Sequence, residues 1–199
     1  MLKSQQTAYL GKFDRAYQLW QQRRLSEAME ALESLETFSG AKTLQAELLR
    51  AYVFRDQRKY LSEIEALQRL LQDFADTDAK KLLADGWSLL GEALRMLGES
   101  RLAVQAFCKA AKLEPDNRQS LTEYSNAIFT ANAIDDIKAE EMQRLYAKYR
   151  EQLSLIEVKP YLPMNWQHKK IRVGYMSADL RNHPVAHFVR PLLTQYDHK

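Results

Sequence analysis

The sequence predicts a mainly α-helical protein in which a solenoid of helical hairpins precedes a short β-α segment. Glycine and proline are scarce, at 6 and 5 of 199 residues, and helix-favouring side chains dominate. A hydrophobic pattern of helical period recurs about every 34 residues. After residue 153 prolines and a short β-branched run interrupt that pattern. We therefore expect a helical repeat domain at 1–153, a linker at 154–168 and an αβ segment at 169–199.

The segment 84–117 carries the strongest repeat. Its marker residues are Trp87, Leu90, Gly91, Leu94, Gly98, Ala103, Phe107, Ala110 and Pro115. Small residues at Gly91 and Ala103 let two antiparallel helices approach closely, Phe107 fills the space beside them, and Pro115 ends the second helix. Residue types at these spacings resemble the tetratricopeptide repeat, a helical hairpin of about 34 residues.

Weaker copies of this pattern precede it. They cover 9–42 and 44–77, and Glu63 stands in the second copy where the pattern has a small residue. The extra residues around "DTDAKK" lengthen either a helix or its turn. A fourth helix pair follows at 121–149, with an irregular "AIDD" turn. Because about three stacked repeats are needed for a stable solenoid, this number suffices.

The segment after the linker predicts a strand and then a helix. The apolar run from Ile171 to Met176 is bounded by charged residues and favours a strand. The next helix begins near Pro184, whose fixed φ suits a first helical position, and Asn182 or His183 could cap it.

Composition excludes several functional classes. The net charge is only +3, and 29 basic residues are interleaved with 26 acidic ones, so we expect no nucleic-acid binding. No stretch reaches the roughly 18 apolar residues that cross a bilayer, so we expect no membrane partner. The single cysteine, Cys108, cannot form an internal disulfide, which fits a cytoplasmic location.

The stretch "KIRVGYMSADLRNHPVAHF" resembles the start of the catalytic region in the O-GlcNAc transferase and SPINDLY-like glycosyltransferases. That family has a Ser-x-Asp-Phe turn, matched here by Ser177 and Asp179 with Leu180 in place of Phe, and a His-Pro-x-x-His loop, matched by His183 and His187. Upstream, "SNAIFTANAIDDIKAEEMQRLYAKY" is similar to the helices that join the repeats of that family to its catalytic part.

This resemblance implies an inverting, GT-B type glycosyltransferase with Rossmann-like lobes and neither a metal nor a cofactor. It implies transfer of a sugar, typically GlcNAc from UDP-GlcNAc, to Ser or Thr of a protein acceptor held on the concave face of the repeats. SPINDLY relatives use GDP-fucose instead. His183 would then be the catalytic residue, with His187, Asp179, Asn182 and Arg181 supporting the cleft. We expect the 199 residues alone to be inactive, because most donor contacts of the family lie in a second lobe.

Structural interpretations of the same residues stay open. His183 or Asn182 could cap a helix, His187 could simply pack, and Asp179 and Arg181 could be solvated loop residues. Two histidines spaced i, i+4 could share a metal, but no further ligands lie nearby in the sequence. Asn126 and Asn132 are candidates for peptide contacts by residue type alone. The alternative function is a non-catalytic scaffold whose repeats bind a peptide or a partner protein.

Overall fold

The computed structural model describes residues 3–40, 42–157 and 174–195. Every regular element within these ranges is an α-helix. The helices are α1 Lys3–Gln21, α2 Leu25–Ser39, α3 Leu44–Asp56, α4 Tyr60–Asp73, α5 Lys80–Met96, α6 Ser100–Leu113, α7 Asn117–Ala131, α8 Ala139–Ser154 and α9 Pro184–Thr194. The described residues thus confirm the predicted helical architecture.

Helices α1 to α8 form four consecutive hairpins. Each helix packs against the next one along the chain, so α1 pairs with α2, α3 with α4, α5 with α6 and α7 with α8. Short connections between packed neighbours make each pair antiparallel. This arrangement is a helical repeat solenoid, as the 34-residue periodicity predicts.

Turns between helices fall where the sequence pattern breaks. Gly98 takes a left-handed conformation, with φ of 82°, between α5 and α6. A residue without a Cβ adopts this conformation without steric penalty. The extra residues around "DTDAKK" lengthen both the connection between α4 and α5, which covers 74–79, and the start of α5, which has 17 residues, whereas α4 itself keeps an ordinary length.

Two hydrophobic clusters fill the solenoid, and α3 contributes to both. Ala46, Leu49 and Val53 face the first cluster, which α1 and α2 complete. Leu48 and Ala51 face the second, which extends through α4 to α8. Because α3 presents apolar residues on two sides, it joins the first hairpin to the rest of the core.

Successive hairpins stack mainly through their first helices. The first helices of successive hairpins lie close together: α1 packs on α3 and α3 packs on α5. Within the described residues no comparable packing joins α2 to α4 or α4 to α6. Ser88 of α5 also hydrogen-bonds Glu123 of α7. Helices α1, α3, α5 and α7 therefore lie on one side of the stack, and we call their uncovered strips the inner face. It carries Tyr17, Tyr52, Asp85, Ser88, Glu92, Glu123, Asn126 and Phe129.

The chain divides into two compact units, Met1–Glu157 and Val158–Lys199. In the second unit α9 begins at Pro184, as predicted, and follows a turn-rich segment. The predicted linker at 154–168 falls largely outside the described residues, and the predicted boundaries stay predictions.

The β-α fragment of a Rossmann-like lobe is not seen. Residues 171–173 of the predicted strand lie outside the described ranges, and 174–176 are not in a strand. A strand needs a neighbour to pair its backbone N–H and C=O groups, and the described part of this unit offers none. A short apolar run between charged residues was therefore insufficient to predict a strand.

Candidate functional site

His183 is the N-terminal cap of α9. Its Nδ1 accepts a hydrogen bond from the backbone N–H of Val185 at 3.3 Å, and its backbone is extended, with φ −144° and ψ 147°. Its Nε2 lies 3.9 Å from Oδ1 of Asp179, one turn upstream. The structure therefore gives His183 the capping role that the sequence left open. Its catalytic role stays a prediction.

Three other predicted cleft residues line a groove beside α9. Arg181, Asn182 and His187 surround a cavity of about 620 Å³ with Arg190, Leu193 and their neighbours. Asp179 and His183 lie outside this lining. Every lining side chain is exposed or half-exposed, so the groove offers no desolvated polar group. The supporting roles of Asp179, Arg181, Asn182 and His187 stay predictions.

The residues that the structure describes contain neither a metal-binding cluster nor a helix that could cross a membrane. Within 3–40, 42–157 and 174–195, no group of three or more His, Cys, Asp or Glu side chains is arranged to hold a metal ion. The helices that the structure describes include none with both the length and the apolar character needed to cross a bilayer.

The N-terminal half of the inner face is aromatic. The ring centroids of Tyr17 and Trp20 are 5.4 Å apart, and those of Trp20 and Tyr52 are also 5.4 Å apart. The indole N–H of Trp20 donates to Oδ2 of Asp56 at 2.8 Å, which ties α1 to α3. Packing of Trp20 and Tyr52 between repeats agrees with the structural interpretation of these aromatic residues.

A cavity of about 500 Å³ continues this aromatic half toward the N-terminus. Tyr9, Leu10 and Phe13 of α1 line it together with Thr43 and Gln45 at the start of α3, and Gln6 closes its end. The hydroxyls of Tyr9 and Thr43 are hydrogen-bonded to each other. Apolar walls with a few polar groups are typical of sites that hold a side chain of a ligand.

The C-terminal half of the inner face is acidic. Ser88 on α5 donates to Oε1 of Glu123 on α7 at 2.9 Å, and the amide of Asn126 donates to Oε2 of Glu123 at 3.4 Å. Within α5, Nζ of Lys81 lies 2.9 Å from Oδ1 of Asp85. These contacts place three inner-face side chains of α5 and α7, Ser88, Glu123 and Asn126, in one continuous polar strip.

Burial and neighbouring charge alter the titration of this strip. Burial raises the pKa of Glu123, the hydrogen bonds from Ser88 and Asn126 partly offset that rise, and nearby Glu92 adds to it. Burial also raises the pKa of Tyr52, and the negative charge of Asp85 raises it further. Tyr52 therefore lies within electrostatic reach of the acidic half.

Arg55 of α3 connects its helix to α4 and α5 through three contacts. Its Nε donates to Oε1 of Glu63 at 3.1 Å, its Nη1 lies 2.8 Å from Oε2 of Glu92, and its Nη2 donates to the carbonyl of Leu89 at 3.2 Å. Glu63 is fully buried, and its Oε2 has no hydrogen-bond donor. Burial raises the pKa of Glu63 to about 7, and the charge of Arg55 partly opposes this rise.

Sequence reasoning missed most of the inner-face polar residues. Of the two asparagines that it proposed, Asn126 lies on the inner face, whereas Asn132 caps the end of α7 and donates its amide to the carbonyl of Ile128. Glu123, Ser88 and Asp85 were not proposed. Their spacing offered a clue, because Ser88 and Glu123 are 35 residues apart, about one repeat.

No protein-family model matches the chain. The chain is similar to a protein of Haemophilus influenzae named as a cytochrome c-type biogenesis protein, CcmH. The two are 41% identical over 69 residues, which is 34% of this chain and 14% of the relative. The matched part thus spans only about a seventh of the relative's length.

This similarity contradicts the predicted O-GlcNAc transferase or SPINDLY-like family, and with it the prediction of a glycosyltransferase. The short motif has a structural explanation instead. His183 is the N-terminal cap of α9, and Pro184 occupies its first turn. A proline suits that position because its fixed φ is helical and its missing N–H would have no partner within the helix. A helix cap is therefore sufficient to explain why a His-Pro pair stands at this position.

Proposed function

We propose that the chain is a non-catalytic scaffold whose helical repeats bind a segment of a partner protein on the inner face. The observation that supports this proposal is the continuity of that face. Ring contacts, hydrogen bonds and an ion pair join α1 to α3, α3 to α5 and α5 to α7. These four helices present aromatic and polar side chains along one strip. Solenoids of stacked helices use such strips to bind extended segments.

The two halves of the inner face supply different contacts. Tyr17 and Phe129 are 41% and 72% exposed, so large rings are available to cover apolar side chains of a ligand. Ser88 and Asn126 are polar and only half-buried, and they can exchange part of their internal hydrogen bonding for contacts to a peptide backbone. Rings of this kind provide most of the affinity in many interfaces.

Selection of peptides tests this proposal. The 199-residue chain is immobilised and challenged with a displayed library of random 12-residue peptides, and enriched peptides are synthesised and titrated by fluorescence anisotropy. We expect Tyr17→Ala to weaken binding about tenfold or more, since exposed aromatic anchors dominate such contacts. The matched control is Tyr146→Ala, an equally exposed tyrosine on α8. Absence of any enriched peptide, or equal effects of the two variants, would contradict the proposal.

We further propose that this binding serves cytochrome c biogenesis. Support comes from the Haemophilus influenzae relative and its name, and from nothing else in the chain. Disruption of the gene in its own organism should lower the amount of haem-containing c-type cytochromes, and the intact gene should restore it. Unchanged c-type cytochromes would contradict this second proposal and leave the scaffold proposal intact. Cell fractionation tests the cytoplasmic location, which stays a prediction.

A further inference from the structure

We infer that the segment bound by the inner face is basic, with Lys or Arg side chains set beside apolar ones. This inference rests on the proposed function and names the chemistry of its partner. The described residues that line the acidic half include several carboxylates, and two of the cations near them, Lys81 and Arg55, already contact acceptors. Arg95 is an exposed cation on the same helix as Glu92.

Lys81 has no hydrogen-bond donor left for a ligand. An ammonium group has three N–H donors. Nζ of Lys81 already contacts Asp85 at 2.9 Å, Glu114 at 2.7 Å and Gln119 at 2.5 Å. One positive charge is thus shared between two carboxylates, and it offers little to an incoming acidic group.

Arg55 is engaged at each of its nitrogens, and its described contacts use three of its five N–H donors. Each of its three nitrogens has an acceptor, on Glu63, Glu92 or the carbonyl of Leu89. Glu63 is fully buried and its second oxygen has no donor, so departure of Arg55 would remove the one described hydrogen bond to its side chain. The charge of Arg55 therefore already faces two carboxyl groups of the protein, those of Glu63 and Glu92.

Glu123 is a carboxylate of the acidic half whose described hydrogen-bond donors are both neutral. Its hydrogen bonds come from Ser88 and Asn126, both neutral, and within the described residues no ion pair involves it. Glu92 shares Arg55 with Glu63. A ligand ammonium or guanidinium placed between Glu92 and Glu123 would face two carboxylates whose negative charge is incompletely balanced.

The surrounding surface suits the rest of a basic side chain. The methylene stems of Lys and Arg pack on aromatic rings, and their charged ends are attracted to ring faces. Tyr52 lies within electrostatic reach of Asp85, and Phe129 is one helical turn beyond Asn126 on α7. The same negative field repels acidic peptides and phosphate backbones, so charge complementarity selects a basic protein segment.

The composition of the selected peptides gives the first test. From the random 12-residue library we expect enrichment of Lys and Arg beside aromatic or aliphatic residues. Enrichment of acidic or neutral peptides would overturn this inference and leave the scaffold proposal standing. Failure to enrich any peptide would overturn both.

Matched charge variants give the second test. With an enriched basic peptide, we expect Glu123→Gln and Glu92→Gln each to weaken binding about fivefold or more, because each removes one charge and keeps the shape. Glu65→Gln, the same change at an exposed position of α4, should leave affinity unchanged. Circular dichroism of each variant checks that it is folded. Equal affinity of the Glu123 and Glu65 variants would overturn the inference.

Arg95 provides a variant of opposite sign. It is an exposed cation in the last turn of α5, one turn beyond Glu92. Removal of its charge by Arg95→Gln should leave the affinity for a basic peptide unchanged or make it tighter. Weaker binding of that peptide would mean that a positive charge on this helix favours the peptide. This outcome would overturn the inference.

Discussion

Glu63 places a carboxylate where the repeat pattern has a small residue. The chain accommodates it by directing Arg55 from the neighbouring helix onto one of its oxygens, at 3.1 Å. The pair is nevertheless unequal, because Glu63 is fully buried and its second oxygen lacks a donor. Burial therefore has the larger effect and raises the pKa of Glu63 to about 7. Sequence reasoning detected the exception but could not predict its partner.

This pKa predicts a pH dependence of stability. Between pH 4.5 and about 7 the folded protein holds a proton on Glu63 that the unfolded chain has already lost, so stability falls as the pH rises. Relative to Glu63→Gln, which does not titrate, the free energy of unfolding of the wild type should fall by about 2–3 kcal/mol from pH 5 to pH 8. Urea unfolding of both proteins at the two pH values measures this. A constant difference would contradict it.

Gly91 of α5 lies close against the ring of Phe107 on α6. A Cβ built on it would lie 2.8 Å from Cδ1 and Cε1 of Phe107, which is almost fully buried. We expect Gly91→Ala to lower the free energy of unfolding by about 1–2 kcal/mol, because overpacking outweighs the gain in helix propensity.

Gly11 is the matched control for this prediction. It lies in α1, and nothing stands within 4 Å of a Cβ built on it. Gly11→Ala should therefore raise the free energy of unfolding by about 0.5–1 kcal/mol. Chemical unfolding of both variants measures the two changes in the free energy of unfolding. Two changes of the same sign would show that the close contact with Phe107 does not determine the effect of Gly91→Ala.

At the scale of elements, each hairpin depends mainly on its neighbours. Leu32 is almost fully buried in the cluster formed by α1, α2 and α3. Leu32→Ala should destabilise that cluster by about 2–5 kcal/mol. Because stacked repeats interact only with the repeats beside them, amide hydrogen exchange should accelerate in α1 and α2 and stay slow in α5 and α6. Equal acceleration in all four helices would contradict this one-dimensional description.

The sequence predicted the elements of the solenoid well and those of the last unit poorly. Helical period, Gly98 and Pro115 mark α5 and α6 because the residues that pack and the residues that end a helix are local features. A strand at 171–176 also requires a partner strand, which a local pattern does not supply. The start of α9 at Pro184 was predicted correctly because helix capping is again local.

At the scale of the whole molecule, the unit Met1–Glu157 contains both hydrophobic clusters. We expect residues 1–157, expressed alone, to fold with helical circular dichroism and one cooperative unfolding transition, since a unit with its own core can fold independently. Thermal unfolding followed at 222 nm, a helix signal, checks this. A non-cooperative transition would contradict it.

The inner face was harder to predict than the fold. Its existence follows from the repeats, but its acidic character arises from Asp85, Glu92 and Glu123, which meet only when α5 and α7 are stacked. Function was predicted wrongly because a short His-Pro pattern received more weight than a domain of interaction type. A short His-Pro pattern that a helix cap also explains is weak support for catalysis.

The most direct test of the account maps where a selected basic peptide binds. The 199-residue chain is labelled with ¹⁵N, its amide signals are assigned, and the peptide is titrated into it. We predict that chemical-shift changes concentrate on α1, α3, α5 and α7, strongest near Tyr52, Ser88 and Glu123. Changes concentrated on α2, α4, α6 and α8, or on residues 174–195, would contradict the claim that the inner face is the binding site.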